Sequence, residues 1–591
     1  MSAPRPLRAA FALAAAAGLA LAAALAFAQD GARVAPERPS GWTDKPPLSA
    51  RRFIVATANP LATRAGFDVL QAGGNAIDAA IAVQWVLGLV EPQSSGLGGG
   101  AFLLYHDARS HALVAYDGRE TAPQAARPDR FLDGQGRPLP FSDAVVGGRS
   151  VGVPGTVALL ERAHREHGRL PWARLFDRAI DLAERGFAVS PRLYGEVAAQ
   201  RSWPQARARD YFHTADGRPK PIGSLLRNHA YAETLRALAH DGAHAFYAGA
   251  IAADIVRTVR DAPVHPGDLT ADDLARYRAV ARAPVCGRYR RYRICGMPPP
   301  SSGGIGVLQT LAILAPFDVA AMGAASFWSV HFASEAERLA YADRAVYVAD
   351  PAFFAVPAGL LSAPYLRARS QLVSPVRSLG VAPPGDPAQA LAIAANAGFG
   401  ADRSAEFTST SQVSIVDGEG NAVAMTTTIE AGFGSRLMTA GGFLLNNELT
   451  DFSFVPAEDG KPVANRVEGG KRPRSTMAPT IAYDAAGRVA IVTGSPGGAA
   501  IIDYVVKNLL AIVDWDMDPQ AAAALPNFGS RNGPTVLEAD TPVEALAPKL
   551  RALGHDVRVA PETSGAQTIV RRGGAWIGGA DPRREGVVLG D

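Results

Sequence analysis

The chain has 591 residues, of which 48% are hydrophobic, 19% charged and 7% aromatic. This globular composition excludes a mainly disordered, collagen-like or coiled-coil protein. Its 59 basic and 56 acidic residues leave a net charge of +3, only six of the basic residues are Lys, and no basic stripe argues for nucleic acid.

At the N-terminus, Arg5 and Arg8 precede an Ala/Leu-rich run from Ala9 to Leu25, and Ala26-Phe27-Ala28 offers small residues where a signal peptidase reads. Residues 1–28 therefore read as a secretory signal cleaved after Ala28, which predicts an exported, periplasmic protein. An uncleaved membrane anchor is the alternative. Residues 29–50 are Pro-rich and polar, an exposed lead-in. Phe53 to Ala58 is a short strand, and Leu61 to Ala72 a helix closed by Gly73-Gly74. Asn75 caps a second helix from Ala76 to Val90. Ala101 to Tyr105 and Ala112 to Tyr116 are paired strands, and the pattern is mainly helical from Thr156 to about Arg260 and again over Ile305–Leu314 and Phe327–Val346. Residues 374–409 are rich in Pro and Gly with weak periodicity and read as a long mobile segment. A strand-rich run follows: Gln412–Val416, Ala422–Ile429, Gly442–Leu445, Thr480–Tyr483 and Val489–Thr493, then helices from Ala499 and from Pro542. Strands at both ends with helices between them predict a layered α/β body.

Only two cysteines occur, Cys286 and Cys295, in a hairpin with Arg290-Arg291 at its turn. A two-residue loop sets them opposite each other in a non-hydrogen-bonded pair, with Cα atoms about 4.5 Å apart. A disulfide and a pair of free thiols in another register both remain open. His164 and His167 stand three apart without a completing ligand, so no catalytic metal or cofactor is expected.

Two glycine runs need a reading. Gly96 to Ala101 fits G-x-G-x-x-A, but a helix precedes it and a strand follows, the reverse of a dinucleotide loop. A tight turn with close backbone approach is favoured. Gly494-Ser495-Pro496-Gly497-Gly498 joins a strand to a helix, where unpaired N–H groups suit an oxyanion, although a plain turn is commoner. The hydroxyl cluster Thr408-Ser409-Thr410-Ser411 lies between the loose segment and a strand. It is a polar turn, or a place where chain scission frees a residue carrying both a hydroxyl nucleophile and an α-amine of pKa about 7.7–8.0 to act as its base. Spacing does not choose among the four residues.

Nine stretches in order bring in a resemblance: GGNAIDAA at 73–80, SGLGGGAF at 95–102, YDGRETAP at 116–123, GVPGTVALL at 152–160, MPPPSSGGI at 297–305, TTTIEAGFGS at 426–435, LLNNELTDFSF at 444–454, KRPRSTMAPT at 471–480 and GSPGG at 494–498. Together they resemble the bacterial gamma-glutamyltranspeptidase (glutathione hydrolase) family of N-terminal-nucleophile hydrolases. The resemblance implies a four-layer αββα sandwich and a precursor cut between Ser409 and Thr410 into a large subunit (51–409) and a small one of 182 residues (410–591) that stay paired as a heterodimer. It implies Thr410 as nucleophile on glutathione and other γ-glutamyl compounds, with release to water or to acceptor amino acids or peptides. Thr428 is its supporting hydroxyl, and Gly497 and Gly498 form the oxyanion pair. Arg119, Ser475 and Thr476 match residues that bind the substrate carboxylate, Asp451 the one that binds its ammonium, and Glu430 and Glu448 further contacts. Departures are Glu430 where many members have Asn, Ser411-Gln412 for a usual Thr-His, Thr476 for a common Ser, and a short loop from Asp451 to Lys471 without Tyr, which predicts a more open pocket. A related acylase on glutaryl-cephalosporin or polyglutamate amides is the alternative, and an inactive scaffold the non-enzyme one.

Overall fold

Two antiparallel sheets of seven strands organise the chain. The computed structural model describes residues 39–200, 202–394, 398–404 and 409–591, so the predicted signal, the start of the lead-in and Thr408 lie outside the described residues. The first sheet runs, edge to edge, Val587–Gly590, Ile54–Thr57, Thr410–Val416, Ala422–Thr428, Gly100–His106, Leu113–Gly118 and Val280–Arg282. The second runs Leu48–Ala50, Ala575–Ala580, Gln567–Arg572, Val489–Thr493, Thr480–Tyr483, Tyr292–Gly296 and Val285–Tyr289. With the helices, this makes a mixed α/β fold. Among the described residues no helix is long and apolar enough to cross a membrane.

The period-2 alternation of the strands decides what each sheet face meets. Val55, Leu103, Val413, Ile415, Val423 and Met425 join one apolar cluster with the helices Pro60–Gln71 and Ala76–Val90. Ile54, Ala56, Phe102, Leu104 and Ala424 join another, with Ile481 and Ile491 of the second sheet and the helices Gly303–Leu314, Phe327–Tyr347 and Ile501–Val513. Ser414 turns toward the second sheet and donates its hydroxyl to the Gln567 carbonyl at 2.8 Å. Thr410, in phase with Ser414, therefore stands at the start of its strand on the side facing the gap between sheets. Both faces of the inner strands are buried, and they read accordingly as runs of apolar and hydroxyl side chains.

Local signals fix the helix beneath this sheet. Asn75 accepts from the N–H groups of Ile77 and Asp78 at 3.0 Å, and Asp78 accepts from the Asn75 N–H at 3.0 Å, a reciprocal cap. Every residue from Ala76 to Val90 is buried, which explains why the helix is apolar all round.

One expectation needs correcting, and two segments carry contacts that composition does not show. Gly442–Leu445 is not a sheet strand: Leu444 and Leu445 make only isolated bridges, to Met438 and Gly98. The described part of 374–409 has no regular element and takes polar contacts from outside itself. Glu335 accepts from the Ser378 hydroxyl and the Leu379 N–H, both at 2.7 Å, Asp343 accepts from the Gly385 N–H at 2.9 Å, and Arg474 pairs with Asp402 at 2.9 Å. Buried charged groups on neighbouring elements supply these contacts, which the segment's own periodicity does not show. The lead-in is exposed over most of 41–47 yet docked: Lys45 Nζ donates to the carbonyls of Asp581, Arg584 and Gly586 at 2.6–2.7 Å, and Leu48–Ala50 adds an edge strand.

In the hairpin of the second sheet, Tyr289 pairs with Tyr292 across Arg290-Arg291, and Cys286 faces Cys295 with Cα atoms 4.1 Å apart, joined by a disulfide. The loop it closes is short, so Cys286→Ser with Cys295→Ser should lower stability by only about 2–3 kcal/mol, read from denaturant midpoints. The Gly98–Gly100 turn lies against backbone: a Cβ on Gly98 would strike the Leu444 carbonyl, and one on Gly99 the Thr428 carbonyl. Gly99→Ala should cost about 2 kcal/mol or more by the same measurement. Gly134→Ala, at an exposed glycine with nothing near its Cβ direction, should stay within about 0.5 kcal/mol.

Candidate active site

Antiparallel pairing sets Thr410 directly opposite Thr428. The two hydroxyls meet at 3.3 Å, Thr410 Oγ1 donating. Thr428 Oγ1 in turn donates to the carbonyl of Ser409 at 2.7 Å and accepts from the Glu430 N–H at 2.9 Å. Ser409 is itself fixed, its hydroxyl donating to the Gln93 carbonyl. One hydroxyl thus touches both the Thr410 side chain and the carbonyl immediately before it. Ser411, one residue on, points the other way, toward Glu91 at 3.4 Å. The structure separates the cluster that spacing left undivided: of the described members, Thr410 is the one whose hydroxyl meets Thr428.

Beyond this pair lies a cavity of about 20 Å³, lined by Arg119, Glu430, Glu448, Asp451, Ser475 and Thr476 among others. That is room for about one water. In the unbroken chain this space is small despite the short 451–471 loop. Leu449, Phe452 and Phe454 pack with Phe131 and hold the loop inward, and Arg119 reaches across to Glu448 and Asp451. Arg119 also donates from Nε to the Pro473 carbonyl at 3.1 Å and from Nη2 to the Arg474 carbonyl at 2.8 Å. Burial opposes its charge, but Glu448, Asp451 and Glu120 outweigh burial and raise its pKa.

The carboxyls outnumber the guanidinium. Burial, then Asp451 and Glu448, push the Glu430 carboxyl well above the usual glutamate range. Burial raises Glu448 as well, against the pull of Arg119. Glu430 takes a positive φ of 76° and accepts from Asn447 Nδ2. Reading the sequence missed Glu120, which follows Arg119 directly. It is fully buried, neither of its oxygens has a donor among the described residues, and burial with the charge of Glu448 raises its pKa far up. Protonated, Glu120 becomes the donor that Glu448 accepts from. The adjacent acidic residue in YDGRE was the available signal.

Ser475 is held by a parallel bridge to Ser301: the Ser475 N–H donates to the Pro300 carbonyl at 3.1 Å, and the Ser302 N–H to the Ser475 carbonyl at 2.7 Å. The MPPPSSGGI stretch therefore supports this wall. The Thr476 hydroxyl does not point at an open subsite; it donates to the Gly498 carbonyl at 2.7 Å. Gly497 and Gly498 begin the turn into the helix Ile501–Val513, both with positive φ, and among the described residues neither N–H has an acceptor. The arrangement joins a hydroxyl pair, free donors and a charged pocket, which is the equipment of acyl transfer.

Elsewhere, His331, Glu335 and His555 come close enough to suggest a metal. Their atoms are otherwise engaged. His331 Nδ1 and His555 Nε2 bond each other at 2.7 Å, His331 Nε2 meets the Ser374 carbonyl at 2.7 Å, and Glu335 accepts from Arg338 Nε at 3.0 Å. One imidazole lone pair lies in the His–His bond, His555 Nδ1 meets the Thr535 hydroxyl at 2.8 Å, and the Arg338 guanidinium stands beside them, so the donor set does not fit a metal.

Residues 62–591 match the gamma-glutamyltranspeptidase family. The glutathione hydrolase proenzyme of Bacillus subtilis (strain 168) is 36% identical over 544 residues, 91% of each chain. The acylase ACY 1 proenzyme of Pseudomonas sp. (strain V22) is 35% identical over 541 residues, 89% of this chain and 91% of that one. Among solved structures, the cephalosporin acylase from Bacillus halodurans superposes with a TM-score of 0.80 at 28% identity, over 93% of this chain and 97% of that one. A match over nearly the whole length, joined to the paired threonines and their charged pocket, makes the chain a member of the gamma-glutamyltranspeptidase family.

Proposed function

We propose that this chain is an exported, self-cleaving γ-glutamyltransferase and glutathione hydrolase, built as a four-layer αββα sandwich. Its membership makes it an enzyme with transferase and hydrolase chemistry. The observation that carries the detailed reading is the Thr428 hydroxyl, 2.7 Å from the Ser409 carbonyl and 3.3 Å from Thr410 Oγ1. In self-cleavage, Thr410 Oγ1 bonds to the Ser409 carbonyl carbon while Thr428 polarises its oxygen. The Ser409–Thr410 C–N bond breaks, the Thr410 nitrogen takes up the proton, and an ester remains. Water opens the ester to a Ser409 carboxylate and a free Thr410. The large and small subunits stay associated because the first sheet takes strands from both sides of the cut.

The freed α-amine then serves as base for the Thr410 hydroxyl, which attacks a γ-glutamyl amide. Gly497 and Gly498 N–H stabilise the oxyanion, the leaving amine takes the proton, and water or an acceptor amine releases the glutamyl group. Arg119 and Ser475 recognise the carboxylate of the amino-acid head, with Thr476 beside them. Asp451, Glu430 and Glu448 recognise its ammonium. N-terminal sequencing should give two starts, one of them at Thr410, and Thr410→Ala should leave one uncut, inactive chain while Thr410→Ser keeps cutting. A wild-type protein active in one unbroken length would sink the reading.

The acylase relatives support a second reading, in which the substrate is a glutaryl amide without an ammonium. Four carboxyls around one guanidinium weigh against it, since a glutaryl head would add negative charge and supply none of the missing positive charge. Losing charge-assisted bonds of 1.5–3 kcal/mol each corresponds to roughly 10- to 100-fold. The γ-glutamyl anilide should therefore be turned over at least about 100-fold faster than the glutaryl anilide in kcat/KM, and Asp451→Asn should narrow that ratio. Equal rates on the two anilides would favour the acylase.

A further inference from the structure

The reaction asks two N–H groups of a short turn to stand still while negative charge develops on an oxygen. Gly497 and Gly498 have φ of +142° and +53°, and a Cβ on Gly497 would strike the Tyr504 ring packed beneath it. The Ala500 N–H closes on the Gly497 carbonyl at 3.0 Å. In a trans peptide the Gly498 N–H points to the opposite side, away from that turn. The next two carbonyls are gripped from outside the loop. Thr476 Oγ1 donates to the Gly498 carbonyl at 2.7 Å. Tyr341, in the C-terminal third of the helix Phe327–Tyr347 and 5% exposed, donates its hydroxyl to the Ala499 carbonyl. Tyr341 precedes the proposed cut and the loop follows it, so this grip crosses from one proposed subunit to the other.

Resting on the assignment of Gly497 and Gly498 as oxyanion donors, we infer that Tyr341 and Thr476 are positioning residues of the reaction: their hydroxyls hold the Ala499 and Gly498 carbonyls so that the turn carrying the glycine N–H groups stays fixed at the cavity, which Gly498 lines. Thr476 then serves the turn through its hydroxyl, rather than the substrate carboxylate. The two chemical steps should respond differently. The carbonyl cut in self-cleavage is polarised by Thr428, not by the glycine turn. A loosened turn should therefore slow substrate turnover and leave self-cleavage alone.

The test uses full-length Tyr341→Phe, Thr476→Val and Thr476→Ser. Each is followed for the rate at which the Thr410 terminus appears and, once cut, for kcat and KM on a γ-glutamyl anilide. In Tyr341→Phe, self-cleavage should stay within about two-fold of wild type and KM within about three-fold, while kcat falls roughly 10- to 100-fold. Thr476→Val should behave alike, and Thr476→Ser should recover most of the loss. Wild-type kcat in both Tyr341→Phe and Thr476→Val overturns the inference. So does a parallel fall of self-cleavage, melting temperature and kcat, which is the mark of general structural damage. Should Tyr341→Phe not accumulate as folded protein, the Thr476 pair decides by the same criteria. A wild-type chain that cuts itself but never turns over the anilide would overturn the oxyanion reading beneath the inference. Brisk wild-type turnover with indifferent variants overturns the inference alone.

Discussion

A single oxygen holds the centre of this structure together. Thr428 Oγ1 accepts from Thr410 and from the Glu430 N–H, and donates to the Ser409 carbonyl. It can do so only because Thr410 and Thr428 are register partners at the ends of adjacent strands. Slipping that pairing by one residue would turn every side chain of the strand to the other face, setting Ser411 where Thr410 stands and moving Val413 and Ile415 out of the helix-facing cluster. Apolar burial on both faces thus enforces the geometry of a polar contact at the strand's end. The glycines at 98–100 complete the constraint, since any side chain at Gly99 would push on the Thr428 carbonyl.

Charge balance is the second constraint. Arg119 is surrounded by Glu120, Glu448 and Asp451, with Glu430 beside them, and burial raises the pKa of all three glutamates. The sign of the linkage follows. Each of these groups binds more protons folded than unfolded above the ordinary glutamate range, so as pH rises from that range toward the raised folded value the cluster works against the fold. A cation entering the pocket opposes that tendency, and a second anion would add to it. In the proposed reaction the substrate ammonium is that cation, so the features that strain the pocket also select the substrate head.

How much of this the sequence carries depends on the range of the interaction. Asn75 and Asp78 cap their helix through neighbours in the chain, and a local pattern was enough to find both ends of it. The hairpin carrying both cysteines was legible as geometry, since a two-residue turn favours one register, while the bond between them was left open. The Thr410–Thr428 contact was not. Their strands form a hairpin across the turn 417–421, but the pattern of four neighbouring hydroxyls does not show which of them stands at the register position of Thr428, and likeness to a family chose among them. Glu120 and Tyr341 escaped for a related reason. Each looks like an ordinary residue in its own segment, and each owes its character to a partner more than 150 residues away, Glu448 or Ala499. In the described part of 374–409 the polar contacts come from Glu335, Asp343 and Arg474, which lie outside the segment and leave no trace in its own periodicity.

In the proposed mechanism, two chemical events on one threonine pose a problem that a single oxyanion site would solve poorly. The carbonyl to be cut first is attached to Thr410 itself, and its oxygen can reach only what lies beside the strand. The carbonyl of an incoming amide approaches from the cavity. In that mechanism the Thr428 hydroxyl on the neighbouring strand meets the first, and the N–H groups of the Gly497-Gly498 turn, without an acceptor among the described residues, meet the second. Using a side-chain hydroxyl for the internal bond and backbone donors for the external one lets Thr428 change roles after the cut. Once the Ser409 carbonyl is released in that mechanism, the Thr428 hydroxyl hydrogen is left to Thr410, while its oxygen keeps the Glu430 N–H.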